Sequence, residues 1–475
     1  MNAVHMATEL SDRLDWLNVP SLRLERLRGR VVALGFWHAG SVLSGSLMRD
    51  LQVIQGRHSD GLTVVGIHCP KFDAERERDC VLKAISRLGL RFPMAADPDL
   101  VAWQHYGIRG WPCTVLIDTQ GRIRRQFAGD LCQSELDAAI DELLHEAGED
   151  DSRVFETLQL AVQREPRLPL AFPSGLAIDD NHVYIADSGH HRILECTHEG
   201  RVLRQFGSGS PGLLDGSCAD AGFNFPCGLA LRKESLYVAD RDNHALRRIR
   251  LLDGDVETVH GNGRPGPAIT ARGDLDAGTP MNAPSDVAGS QDRLFIAMTG
   301  MHQIWEYDIS QRRMRVLAGS GRAGCNDGVG HDARFAEPTG LVQVQQTLYV
   351  ADAQGSALRS VHVTDAAVHT LVGKGLFDFG DQDGTRSSAL LQQPQALVLD
   401  ADSPLLWIAD SYNNAIKTLR LGGGDVLRHE IDYRLNRPAA IAARKGALWI
   451  ANTDAHELLH LDIESGNVRR VSVGE

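Results

Sequence analysis

Residues 172–194 read FPSGLAIDDNHVYIADSGHHRIL, and five variants of that phrase follow before the chain ends. They open as FPCGLALRKESLYVAD at Phe225, APSDVAGSQDRLFIAM at Ala283, EPTGLVQVQQTLYVAD at Glu337, QPQALVLDADSPLLWIAD at Gln393 and RPAAIAARKGALWIAN at Arg437. Their prolines, Pro173, Pro226, Pro284, Pro338, Pro394 and Pro438, are spaced by 53, 58, 54, 56 and 44 residues. A period of that length marks a repeat architecture in which each copy is one supersecondary unit. Every copy holds two short β-rich runs split by polar turn residues, with room for two more strands before the next proline. Four antiparallel strands repeated six times predict an all-β six-bladed β-propeller, because one such sheet cannot bury both faces until neighbours stack on it.

Copy two runs from YVAD through Arg241 and Asp242 into Asn243-His244-Ala245-Leu246. Here the sequence resembles the NHL-repeat family, whose repeats form the blades of six-bladed propellers, over roughly residues 155–475. Such propellers serve as enzymes, RNA binders and protein scaffolds, so the resemblance implies a fold and leaves the function open.

Ahead of the repeats the pattern changes. RVVALGFW from Arg30 reads as a buried strand, and the segment after it has helical periodicity through Leu43, Leu47, Leu51 and Ile54. Then come the strand LTVVGIHC, the helix ERERDCVLKAISRLG, the strand pair CTVLID and GRIRRQFAG, and the helix SELDAAIDELLHEA. That order predicts an α/β layer. It resembles the thioredoxin superfamily through GFW before a helix and Trp111-Pro112 before a strand, where the family keeps a cis-proline facing its redox site. The expected organisation is multidomain. A thioredoxin-like domain spans 1–148, a linker with a propeller-closing strand at Val154–Val162 spans 149–171, and the NHL propeller spans 172–475.

Active members of the superfamily place C-x-x-C at the turn into the first helix, because free amides at a helix N-terminus stabilise a thiolate. Aligned on Phe36-Trp37, those two positions are Ser41 and Ser44. A serine caps a helix well but forms no disulfide, so this redox motif is vacant. Two cysteines could carry thiol chemistry instead: Cys113, directly after the presumed cis-proline Pro112, and Cys69, at the end of the second strand. Both also read as small apolar fillers. His38 lies beside Ser41, but no positioned carboxylate or oxyanion hole is visible in the sequence, so no hydrolase site is read.

The whole chain resembles the thioredoxin-and-NHL-repeat proteins of bacteria and animals, through domain order, Trp16-Leu17-Asn18, GIHCPKF and glycine-rich connectors such as GSGSPGLLDGSCADAGFNFP. It departs from them in lacking their cysteine pair.

The formal net charge is −13, of which −11 lies beyond residue 148. An acidic propeller repels phosphate backbones, which argues against nucleic acid as partner. The chain opens on no basic segment leading into an apolar stretch, and it holds no apolar run long enough to span a bilayer. The expectation is a cytoplasmic protein without membrane contact. Eight scattered cysteines without C-x-x-C pairs fit neither a disulfide framework nor a structural zinc site.

Asp187, Asp240, Asp352 and Asp410 end the second strand of four copies, with Met298 and Asn452 at the same place in the others. They read as turn residues bonding amides two or three positions on. His191, His244, His302 and His456 fall in the following turn and read as packing and turn-bonding residues, too far apart round a ring to share a metal. The connectors are glycine-rich and acidic. Asp215, Asp276, Asp327 and Asp383 are the candidate binding residues, expected to line one rim and to attract a basic segment of a partner. Asp381-x-Asp383-Gly384 resembles only a fragment of a calcium loop. Ser174, Cys227, Ser285, Thr339, Gln395 and Ala439 follow the blade prolines and should face the central channel, where they offer no charged ligand set. No metal and no cofactor are expected.

The sequence therefore points to a non-catalytic scaffold that binds a protein or peptide partner. The alternative is a thiol-disulfide oxidoreductase or peroxide-handling enzyme acting through Cys113 or Cys69. A propeller hydrolase ranks third.

Overall fold

The computed structural model describes residues 5–129, 133–149, 160–161, 168–290 and 292–474. The chain divides into two compact units, Met1–Pro166 and Arg167–Glu475.

The first unit is a six-stranded sheet with helices on it. In chain order its elements are β1 (Asp15–Trp16), β2 (Val31–Trp37), α1 (Val42–Arg57), β3 (Leu62–His68), α2 (Arg78–Leu88), β4 (Met94–Ala96), α3 (Val101–His105), β5 (Cys113–Ile117), β6 (Ile123–Ala128) and α4 (Gln133–Glu149). The strand order is β1-β4-β3-β2-β5-β6, with β2 parallel to β3 and antiparallel to β5. All seven residues of β2 and of β3 are buried, as their continuous apolar runs require for central strands covered on both faces. One layer packs Leu47, Met48, Leu51 and Ile54 of α1 against Val31 and Ala33. The other holds Leu34, Phe36, Tyr106, Cys69 and Cys113. The Trp111-Pro112 bond is cis. β1, β4 and α3 are too short to leave a periodic signal.

The second unit is the six-bladed propeller. Blade 1 comprises strands a to d at Pro173–Ile178, His182–Asp187, Arg192–Thr197 and Val202–Phe206. Five more four-strand sets begin at Pro226, Pro284, Pro338, Pro394 and Pro438, blade 4 gaining a fifth short strand, Gly328–Val329. Each strand a pairs only with its own strand b, so its other edge faces the channel. The expected closing strand at Val154–Val162 lies outside the described residues, save Leu160 and Ala161. Among the described residues the sixth blade already has four strands of its own, Pro438–Arg444, Ala447–Asn452, Glu457–Asp462 and Val468–Val471. The seam is instead tied by Gly474, which accepts from the Val202 amide (2.8 Å) and donates to the Gly200 carbonyl (3.1 Å). Gly200 has φ +98°, and an added Cβ would lie 2.3 Å from the Ser472 carbonyl oxygen, so only glycine fits there.

One hydrogen bond recurs at every junction between blades. The residue just before each blade proline donates its amide to the turn that ends strand b of the preceding blade. Phe225, Ala283 and Glu337 donate to Nδ1 of His191, His244 and His302 at 3.1, 3.0 and 3.0 Å. Gln393 donates to Ser356 Oγ and Arg437 to Asn414 Oδ1. At the seam Phe172 donates to His456 Nδ1 (3.1 Å), across 284 residues. All twelve residues have φ between 46° and 60°, a left-handed conformation that costs a non-glycine residue about 1–2 kcal/mol and persists only where the surroundings fix it. The aspartates at the end of strand b meet the following turn through its side chains rather than its amides, Asp187 with His190, Asp240 with Asn243 and Asp410 with Asn413. Asp187, Asp240, Asp352 and Asp410 accept amides 16 to 18 residues upstream, from Ala171, Asn224, Ala336 and Gln392. Each ties its own blade to the connector that leads into it.

No helix among the described residues is long and apolar enough to cross a membrane.

A histidine accepting at Nδ1 must leave that nitrogen unprotonated, and burial lowers His302 from 6.5 to about 4. The unfolded chain then takes up a proton near 6.5 and the folded chain only near 4. The stabilising contribution is therefore whole above pH 6.5 and is lost as pH falls from 6.5 towards 4. His302→Asn, which copies Asn414 of blade 5, should keep the bond and make thermal stability decline less steeply over that window. His302→Leu should cost about 1 kcal/mol or more above pH 6.5, a cost that shrinks as pH falls towards 4. Parallel melting curves of wild type and His302→Asn from pH 7 to pH 4 would count against this role.

Candidate functional site: a serine-capped thioredoxin turn, a clamped rim and a channel

Strand β2 delivers Trp37 to the turn, and α1 starts immediately after Ser41. Ser41 is extended (φ −96°, ψ 129°), and its Oγ accepts the Ser44 amide at 3.0 Å, which is N-capping. Ser44 is fully buried. The two serines thus occupy the redox positions and act as a helix cap. The turn is held from beneath by Glu75, a buried carboxylate that the sequence reading missed. Its Oε1 accepts from the Gly40 amide (2.5 Å) and meets His38 Nδ1 (3.1 Å); its Oε2 accepts from the Lys71 and Phe72 amides (2.8 and 3.1 Å). Burial opposes its ionisation, yet His38 and these donors hold it down to about 2. His38 therefore does have a positioned carboxylate, contrary to the sequence reading. Nothing in DAERERD separates Glu75 from its solvated neighbours, so only the fold reveals it. His38 also meets the ring of Trp111 edge-on at 5.2 Å. His68, fully buried at the end of β3 with neither ring nitrogen partnered, is lowered by burial to about 4.

The two candidate thiols lie in the apolar layer. Cys113 follows the cis-proline as expected; its Sγ is 3.6 Å from Gln126 Nε2, and burial raises its pKa. Cys69 is fully buried, with Sγ 3.8 Å from Asp97 Oδ2. Burial, reinforced by the Asp97 charge, pushes it well up. Both are held as thiols near neutral pH, which suppresses nucleophilic reactivity.

On the propeller, three of the four rim aspartates are already neutralised from within. Arg247, fully buried on strand c of blade 2, bridges Asp240 (2.9 Å) and Asp215 (2.9 Å). Arg359 of blade 4 bridges Asp352 (3.2 Å) and Asp327 (3.0 Å). In blade 5 Lys417 faces Asp381 (2.8 Å), Asp383 (3.4 Å) and Asp410 (3.5 Å). The apparent calcium-loop fragment is therefore a cage for an internal ammonium. Asp276 differs: it is exposed, and its backbone carbonyl accepts from Thr279. Of the four candidate binding residues, three hold their connectors onto blades.

The channel forms a cavity of about 340 Å³ along the six strands a. Ser174, Ser285, Thr339, Gln395 and Ala439 line it as expected, whereas Cys227 turns into a small cluster with Phe172 and Phe225. Beyond those six positions the lining also carries charge, at Asp286 and Arg232. Asp286 stands two residues after its proline, where blades 1, 2 and 4 have Gly175, Gly228 and Gly340. Its Oδ1 and Oδ2 accept from the Val287 and Leu341 amides, each at 2.8 Å. Burial pushes it up to about 7 against those two donors. The mismatch SDV among SGL, CGL and TGL was a legible signal. Among the described residues one trio, His58, Asp137 and Asp141, brings potential metal-ligating atoms within 4.8 Å, and Arg57 already pairs with Asp137.

The clamps make the rim substitutions unequal. Asp215→Asn or Asp327→Asn leaves a buried guanidinium short of a carboxylate and should cost about 1–3 kcal/mol, read as a lower urea midpoint for the propeller. Asp276→Asn should stay within about 0.5 kcal/mol of wild type. Equal midpoints for all three would mean that the clamps carry no net energy.

An NHL-repeat family model matches residues 170–196. The chain is 34% identical over 495 residues to the Arabidopsis thaliana protein SUPPRESSOR OF QUENCHING 1, chloroplastic, an alignment covering 96% of this chain and 47% of that one. It is 31% identical over 513 residues to NHL repeat-containing protein 2 of Homo sapiens, covering 96% and 70%. The chain thus spans about half of the plant relative. The first unit alone is 26% identical over 135 residues to the thiol-disulfide oxidoreductase ResA of Halalkalibacterium halodurans, covering 28% of this chain and 74% of that one. With two-thirds of the human relative covered at this identity, the chain belongs to the NHL repeat-containing proteins that join a thioredoxin-like domain to a six-bladed propeller.

Proposed function

We propose that this chain is a non-catalytic interaction protein of a reducing, cytoplasmic compartment, in which the thioredoxin-like unit and the propeller bind a protein or peptide partner. The observation that carries this reading is the Ser41 hydroxyl accepting the Ser44 amide at the place where redox chemistry needs a thiolate. Thiol exchange requires two sulfurs in reach and one of them ionised. Here the motif has none, and the nearest thiols are buried and held protonated. The seven described cysteines are all free, which suits a reducing compartment. The turn geometry is nevertheless retained, with Glu75 bracing residues 38–40 and Pro112 in cis. A braced turn that carries no nucleophile supports a recognition role better than a catalytic one. A basic segment would meet less charge on the rim than the composition suggests, with Asp276 as its most available carboxylate.

The test is dithiothreitol-driven reduction of insulin by the full chain. Wild type should not exceed the rate without protein. Ser41→Cys combined with Ser44→Cys should gain turnover, because the helix N-terminus and the Glu75 brace are already in place. Wild-type turnover that disappears in Cys113→Ser would overturn the reading in favour of a thiol enzyme.

A further inference from the structure

Two charged side chains of the propeller channel form no ion pair with any described residue. One is Asp286, near the proline end of strand a in blade 3. The other is Arg232, the last residue of strand a in blade 2. Arg232 donates Nη1 to the neighbouring Leu231 carbonyl, its Nε is buried without a partner, and burial lowers its pKa. Among the described residues the fully buried Arg247, Arg359 and Lys417 of the propeller are each met by carboxylates, whereas half-buried Arg232 is not. A carboxylate and a guanidinium left unmatched in one cavity are costly unless something else supplies the counter-charges.

Their placement sets the length of what would fit. Asp286 is two residues past its blade proline and Arg232 six past its own. On parallel, equivalent strands that separates their Cα levels by about 13 Å, and the arginine side chain can close part of this gap. The walls between them are uncharged and mostly apolar, with Leu176, Ala177, Leu229, Ala230 and Val287 three or four positions past their prolines and the backbone edges of the inner strands beside them. An open strand edge offers amide and carbonyl groups to an extended chain.

We propose that the channel binds a short zwitterionic peptide of about three residues, its terminal ammonium on Asp286 and its terminal carboxylate on Arg232. Three extended residues span about 10 Å, which suits the separation of the two charges. The cavity volume lies at the small end of ligand pockets. Asp286 has spare acceptor sites, since each oxygen takes one amide and a carboxylate accommodates about four donors. An arriving ammonium would also supply the opposite charge that favours the ionised carboxylate. This inference deepens the interaction reading by giving the propeller its own ligand. It fails separately, because the insulin assay does not involve the channel.

The probe is trialanine, with N-acetyl-trialanine and trialanine amide as controls, titrated calorimetrically into the full chain. Trialanine should bind wild type, and capping either end should weaken binding about tenfold, the usual worth of one charged hydrogen bond. Asp286→Gly installs the residue that blades 1, 2 and 4 use, so it should fold. It should bind trialanine about tenfold more weakly and become indifferent to acetylation. Arg232→Gln should become indifferent to amidation in the same way. The proposal is overturned if trialanine fails to bind wild type at millimolar concentration, if capped and free peptides bind alike, or if Asp286→Gly keeps wild-type affinity and end preference.

Discussion

The ring depends on one hydrogen bond drawn six times, from the amide before each blade proline to a side chain in the turn of the preceding blade. Its geometry forces two residues per junction into left-handed backbone, and that strain persists because the hydrogen bond and the packed blades on either side fix it. The acceptor alternates chemically, histidine at four junctions, serine at one and asparagine at one. All three offer a lone pair at a short reach, which is the constraint. Hydroxyls add a second tie at several junctions. Ser188, Thr299 and Ser411 donate to the carbonyls of Pro226, Pro338 and Pro438, and Thr453 closes the ring onto Pro173.

The buried cations solve a different problem. A long glycine-rich connector has little apolar surface with which to hold itself down, so blades 2, 4 and 5 each fix one with a charge reaching out from strand c. Burying a charge costs several kcal/mol, and such networks are weak evidence for stability taken alone. What they contribute is register, since an Asp-Gly turn must arrive opposite the guanidinium or ammonium for the charge to be met. Blades 1, 3 and 6 have Leu194, Trp305 and Leu459 at the same position of strand c. These apolar residues need no such partner.

How much of this could be read beforehand follows from how local each signal is. The propeller was legible because its period repeats six times. The thioredoxin-like layer was legible because VVALGFW and LTVVGIH are unbroken apolar strands flanking an amphipathic helix. Ser41 and Ser44 could be placed because the distance from Phe36-Trp37 to the helix start is short and stiff. Glu75 was invisible: its partners lie up to 37 residues away and its neighbours are ordinary surface charges. The ion pairs of the rim aspartates were hidden for the same reason. Arg247 and Asp215 are 32 residues apart, and composition counts each of them as free.

The seam between blades 6 and 1 has a consequence for how such a ring could arise and change. Every described blade is a complete sheet of consecutive strands, and the seam uses the same amide-to-histidine bond as the other junctions. Among the described residues no named strand is exchanged across the ends, only the Gly474 tie to blade 1, so the order in which the blades are encoded matters little to their sheets. A gene opened at any connector and rejoined across the seam would encode the same sheets. Duplication or loss of a whole copy would break no strand pairing and would alter only the curvature needed for closure. The ring behaves as a set of interchangeable cassettes, and the site each one carries, a clamp in one and a channel carboxylate in another, can diverge without disturbing its neighbours.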